Sequence, residues 1–173
     1  MIYVLAYPEF EPSVAGNIAR FRQTHEPERA KLVRPHVTLV FGLRGVRPLE
    51  FVASCEKVAV GVPAIAVDFD STEIVHDPFE KTFKLFFLNS KGRDALKALH
   101  ERLYDGPHRS ELHPDIPFRP HMTVATHSDQ AIIERLDAAE IGAFPISGII
   151  RALEVVQQVQ KRLVRLRTIP LQK

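Results

Sequence analysis

Tryptophan is absent from this chain, and cysteine occurs once in 173 residues. A single cysteine, Cys55, excludes an intramolecular disulfide, so burial of apolar surface has to hold the fold, and the chain suits a reducing compartment. Long apolar runs are missing too. No stretch approaches the roughly 20 residues that span a bilayer, and the opening MIYVLAYPEFEP lacks a basic leader. A soluble, unexported, cytoplasmic protein is expected. An excess of one charge is also lacking: 23 Lys and Arg face 21 Asp and Glu, a net +2 that argues neither for nor against a polyanionic partner. What is present is an ordinary globular composition, 45% hydrophobic and 25% charged, in a chain long enough to bury a core without staples.

Hydrophobic periodicity alternates between strand and helix. IYVLAY (2–7), HVTLVF (36–41), AIAVDF (64–69), TFKLFFL (82–88) and HMTVAT (121–126) read as strands, and 143–159 with 162–169 as a closing hairpin. Helices are expected over 12–25, 48–60 and 91–104, the last capped by Asn89 or Ser90. Another follows a cap at Ser128, with Ile132, Ile133 and Leu136 turned inward. The segment 105–117 is dense in turn formers and reads as a loop.

The informative feature is an internal repeat. LVRPHVTLV (32–40) aligns without gaps to PFRPHMTVA (117–125), and Arg-Pro-His-x-Thr is identical in both. Each copy follows a helix and loop and opens a strand. Two lobes related by a pseudo-two-fold would set these strands side by side at the centre of one domain, 1–173.

Alternation on a strand projects His36 and Thr38 from one face and Val37 and Leu39 from the other; His121 and Thr123 stand likewise against Met122 and Val124. Two imidazoles and two hydroxyls then converge on one cleft. Phosphodiester cleavage needs that set. One histidine takes a proton from the attacking oxygen, the other gives one to the leaving oxygen, and threonine hydroxyls donate to the non-bridging oxygens. The set has no carboxylate or third histidine, so no metal is expected in it; His108, Glu111 and His113 have no ligand spacing and read as loop polarity. A single H-x-T carries little information, but two inside R-P-H-x-T carry a great deal. The bland reading, two strand histidines bonded at an interface between repeats, is disfavoured because apolar residues would serve an interface at lower cost.

At these residues the sequence resembles the 2H phosphoesterase superfamily, in particular its bacterial 2′-5′ RNA ligase-like and RNA 2′,3′-cyclic phosphodiesterase branch, over essentially the whole chain. The motif that carries the resemblance is His-x-Thr followed by an apolar residue, here His36-Val37-Thr38-Leu39 and His121-Met122-Thr123-Val124. The resemblance implies a bilobal α+β fold in which two antiparallel sheets line a central groove with helices outside. It implies metal-independent hydrolysis of 2′,3′-cyclic phosphates at RNA ends or on small nucleotides, without a cofactor, with His36 as proton donor and His121 as acceptor. Some relatives carry out reversible 2′-5′ ligation, which exchanges those roles. The closing hairpin departs from relatives in having no glycine at its turn. A third reading is a module that binds RNA or a nucleotide without turning it over. A monomer suffices for such a site.

Around the quartet, Arg34 and Arg119 are candidate phosphate contacts at the rim, with pairing to carboxylates as the alternative. Tyr3 and Tyr7 share a face of the first strand and are candidate contacts for a nucleobase. Phe41 falls by parity on the face opposite His36 and is assigned to the core, as are Phe83, Leu85 and Phe87.

Overall fold

A computed structural model describes residues 1–112 and 117–172; His113 and part of the expected 105–117 loop lie outside the described residues. Proline starts three helices, α1 (Pro12–His25), α2 (Pro27–Leu32) and α3 (Pro48–Ala59), at the position where a missing N–H leaves no hydrogen bond unmade. The turn α2 was not expected from periodicity, since its six residues bury nothing.

The fourth helix, α4 (Arg93–Tyr104), buries Leu96, Leu99 and Leu103 as expected, but its cap is Gly92 rather than Asn89 or Ser90. Asn89 instead donates its amide to the carbonyls of Asp68 and Lys91. Gly92 has φ +78°, and a Cβ there would lie 2.4 Å from the Ala66 carbonyl oxygen, so both conformation and space demand glycine. Helix α5 (Gln130–Glu134) is capped by Asp129, whose carboxylate accepts the Ala131 N–H, and not by Ser128. Of its three expected core residues only Ile133 is fully buried, and Ile132 faces solvent.

Seven strands form one mixed helix-and-sheet architecture: β1 (Ile2–Phe10), β2 (Val37–Leu43), β3 (Ile65–Asp77), β4 (Thr82–Asn89), β5 (His121–His127), β6 (Ile146–Val159) and β7 (Arg162–Pro170). Their order is β2-β1-β6-β3-β4-β5, all antiparallel, with β7 also on β6. The two sheets implied by the resemblance are therefore hydrogen-bonded into one. Long β6 joins them: β3 pairs with its first half and β7 with its second, while β1 runs along the other side. At the closing turn Gln160 takes φ +54°, doing without glycine.

The two H-x-T strands are not sheet neighbours. They are the two ends of the strand order, and the sheet curves until some Cα atoms of β2 and β5 stand within 8 Å of each other. Val37, Leu39, Met122 and Val124 point the other way, into a core shared with Ile18, Phe51, Leu96 and Phe87.

Each H-x-T strand carries a bulge at the same place. Leu5 pairs with Thr38 and Val4 with Val40, leaving Leu39 unopposed; Phe86 pairs with Thr123 and Leu85 with Ala125, leaving Val124 unopposed. The repeat in sequence is a repeat in backbone irregularity. The bulge puts two consecutive residues, Leu39 and Val40, in the core and so reverses the parity at Phe41, until a second register shift before Leu43 returns that residue to the core. For this reason Phe41 is half exposed on the histidine side and not in the core where simple alternation puts it.

Candidate active site

Where the sheet edges approach, they enclose a cleft of about 610 Å³. His36, Thr38, His121 and Thr123 all line it. His36 sits just before β2 and His121 opens β5, so each imidazole stands at the mouth of its strand.

Both rings are held in the same way. The Nδ1–H of His36 donates to the Arg34 carbonyl at 2.7 Å, and that of His121 to the Arg119 carbonyl at 2.8 Å. A carbonyl only accepts, so Nδ1 carries the proton and Nε2 is the bare nitrogen of each neutral ring. This gives the Arg-Pro of the repeat a use apart from the guanidinium: its backbone supplies the carbonyl that fixes the tautomer.

Burial sets the charge of both rings. Loss of water around His36 lowers its pKa from the usual 6.5 to about 4; the Arg34 carbonyl opposes this, and the cations Arg22 and Arg29 and the facing His121 add to it. His121 is lowered as well, again first by desolvation, with Arg119 and Lys84 contributing. That His121 lies within electrostatic reach of His36 accords with their common cleft. Without a bound anion both rings are neutral at pH 7.

The surroundings of the two rings differ. Phe86 lies flat on His121, with centroids 3.8 Å apart, whereas Tyr7 meets His36 at 6.0 Å and a tilt of 58°. Neither threonine hydroxyl is bonded to another group among the described residues, which leaves both free to donate.

Of the other candidates Tyr3 lines the cleft, whereas Arg34, Arg119 and Tyr7 stand apart from its lining. Arg34 stacks its guanidinium over the Tyr7 ring at 4.1 Å and pairs with Glu154 at 3.2 Å. Both Arg34 and Tyr7 line a neighbouring apolar groove of about 590 Å³ that contains neither histidine. Arg119 pairs with Glu73 at 2.6 Å. The carboxylate reading thus describes both arginines here. The motif keeps their carbonyls beside the histidines, while their long side chains run outward to carboxylates on other strands.

Residues missed in the sequence complete the cleft. Lys84, almost fully buried, bonds Asp77 at 2.6 Å and Glu80 at 2.9 Å; Arg29 bonds Glu80 at 3.2 Å. Phe86 and the misassigned Phe41 contribute aromatic wall beside the expected Tyr3, and Phe79 stands almost wholly exposed at the rim. Lys84 and Phe86 had a signal: they alternate on β4 with core Leu85 and Phe87 and with Phe83, which is partly buried against that core. Arg29 had none, because α2 was not foreseen. Among the described residues no three His, Cys, Asp or Glu side chains converge as a metal ligand set, and no helix is long and apolar enough to cross a membrane.

A curved antiparallel sheet flanked by helices, with a pair of H-x-T strands facing one cleft, defines a 2H phosphoesterase. The family model of the 2′-5′ RNA ligase superfamily matches residues 10–162, and the chain belongs to that superfamily. The structure is similar to that of Escherichia coli LigT in apo form (TM-score 0.65, 16% identity, 99% of this chain and 97% of that one). It is also similar to TT0787 of Thermus thermophilus (0.67, 20%, 98% and 97%) and to Usb1 of Kluyveromyces marxianus (0.57, 12%, 98% and 97%). Structures of LigT have been solved with 3′-AMP, with ATP, with NADP+ and with phosphate. Among curated proteins no significant match was found.

Proposed function

We propose that the protein is a cytoplasmic, metal-independent phosphodiesterase that hydrolyses 2′,3′-cyclic phosphates at RNA ends or on small nucleotides. The observation that carries this reading is the matched pair of Nδ1–H to carbonyl bonds at His36 and His121, which leaves two Nε2 atoms for chemistry in one cleft. One neutral imidazole takes the proton of a water as its oxygen bonds to phosphorus. The other, entering as imidazolium, gives its proton to the ribose oxygen as the P–O bond breaks, leaving a phosphomonoester and a free hydroxyl. The hydroxyls of Thr38 and Thr123 donate to the non-bridging oxygens, where negative charge builds. A bound phosphate anion favours the charged form of the acid, offsetting the desolvation that keeps it neutral in the free protein.

The two halves, one bringing His36 and the other His121, act as pseudo-symmetric lobes of a single domain, and one copy of the chain suffices. Nucleotide and phosphate complexes of the structurally similar LigT support the substrate class. The test is a panel of 2′,3′-cyclic mononucleotides and cyclic-phosphate oligoribonucleotides, assayed in EDTA. Turnover is expected, lost by a factor of about a hundred or more in His36→Ala and in His121→Ala. Activity that chelation removes, or a histidine variant near wild-type turnover, rejects the mechanism. Adding an RNA with a 5′-hydroxyl end distinguishes hydrolysis from 2′-5′ joining, and nucleotide binding with no product indicates a binding module.

A further inference from the structure

Two pairs of buried polar residues, Arg22 on α1 with Glu26 just past its end and His100 with Tyr104 on α4, touch none of the reacting groups. All four are exposed by 5% or less. Each pair reaches both H-x-T segments.

From α1, Arg22 Nη1 donates to the Val33 carbonyl at 2.9 Å, in the segment that enters His36. Its Nε is bonded to Glu26, whose other carboxylate oxygen accepts the Thr126 hydroxyl at 3.1 Å, on the strand that leaves His121. From α4 the connection is reversed. His100 Nδ1–H donates to the Leu39 carbonyl at 2.7 Å, and the Tyr104 hydroxyl accepts the Phe41 N–H at 3.0 Å, on the strand that leaves His36. The His100 ring stacks on Phe118 at 3.9 Å and 5°, in the segment that enters His121. In the alignment of the repeats Val33 corresponds to Phe118, and Phe41, just past its bulge, to Thr126, just past its own. Each helix thus grips the approach to one histidine and the exit from the other.

Packing alone does not call for this. A buried ion pair costs much of its attraction in lost hydration, and apolar residues of similar volume stabilise as well or better. The polar groups do meet a backbone need, since β2 ends the strand order and neither the Leu39 carbonyl nor the Phe41 N–H has a further strand to bond. Acid-base transfer across a phosphate requires the two nitrogens to be held to within about half an ångström, and a displacement near 1 Å costs about a hundredfold in rate.

We infer that Arg22/Glu26 and His100/Tyr104 are positioning residues, two reciprocal braces that set how His36 and His121 stand across the cleft. This rests on the proposed reaction. Thr126→Val and Tyr104→Phe each remove one hydroxyl from a brace at nearly constant volume. Each is expected to lower kcat on adenosine 2′,3′-cyclic phosphate by about tenfold or more with KM unchanged, and Thr126→Ser to restore it. Thermal unfolding, followed in parallel, separates this from loss of folded protein. If both variants keep kcat within twofold of wild type, or if Thr126→Ser fails to restore it, the braces do not position the site. If the wild type turns over no cyclic phosphate, the proposed reaction fails instead. The braces are then judged by the NMR titrations of His36 and His121, which are expected to shift in both variants; unchanged titrations overturn the inference.

Discussion

Phe86 presents the face of its ring to His121, centroids 3.8 Å apart and planes 19° apart. The negative face of a benzene ring favours an imidazolium over a neutral imidazole, by about 0.5–1 kcal/mol. The two histidines share a motif and a backbone bond but have different neighbours. Phe86→Leu keeps the apolar wall and removes the ring face. The His121 pKa is therefore expected to fall further, by about half a unit, with His36 little changed, as followed by NMR of the ring protons. A rise at His121 contradicts this account.

Both catalytic candidates have lowered pKa values, His36 to about 4. The form of the free enzyme with one ring charged and one neutral is therefore most populated below pH 6.5. The profile of kcat/KM is expected to fall about tenfold per pH unit above neutrality, while the alkaline limb of kcat lies higher because bound phosphate stabilises the imidazolium. The same shift has a stability consequence. With the folded pKa of His36 below the unfolded value, the unfolded chain binds more protons between pH 6.5 and about 4. Stability is full above that window and lost as pH falls through it. Urea unfolding at several pH values checks this, and His36→Asn should flatten part of the slope.

Phe41, about half exposed on the cleft side of its bulge, offers a flat apolar surface to a nucleobase. Phe41→Ala should raise KM for a cyclic mononucleotide by about tenfold, corresponding to roughly 1–3 kcal/mol of stacking per base. Its effect on folding stability should be small. A large destabilisation with KM unchanged would return Phe41 to the core.

Gly92 stands at φ +78° with the Ala66 carbonyl where a side chain would begin. Gly92→Ala is expected to cost about 2 kcal/mol or more, because the left-handed conformation and the close contact both oppose a Cβ. Chemical denaturation measures it. A neutral result means that α4 can shift on the sheet, which bears directly on the brace formed by His100 and Tyr104.

That His36, Thr38, His121 and Thr123 form one candidate set was legible because the signal is local: an identical pentapeptide, repeated, whose alternation puts His and Thr on one face. Helix α1, strand β4, the first part of β3 and the closing hairpin of β6 and β7 were legible for the same reason, their periods being written in consecutive residues, whereas the extension of β3 over 70–77 was not read. Phe41 was misassigned because a bulge is a relation between two strands, and one strand's sequence does not say which residue its partner skips. The caps Gly92 and Asp129 depend on the chain's path, which composition alone left open among neighbouring residues. The destination of the arginines was decided by tertiary structure alone. Glu154 and Glu73 lie far along the chain, and only curvature of the sheet brings them, Lys84 and the two imidazoles to their places. Local order follows from short-range sterics and periodicity, whereas the cleft is a consequence of long-range pairing that no short segment encodes.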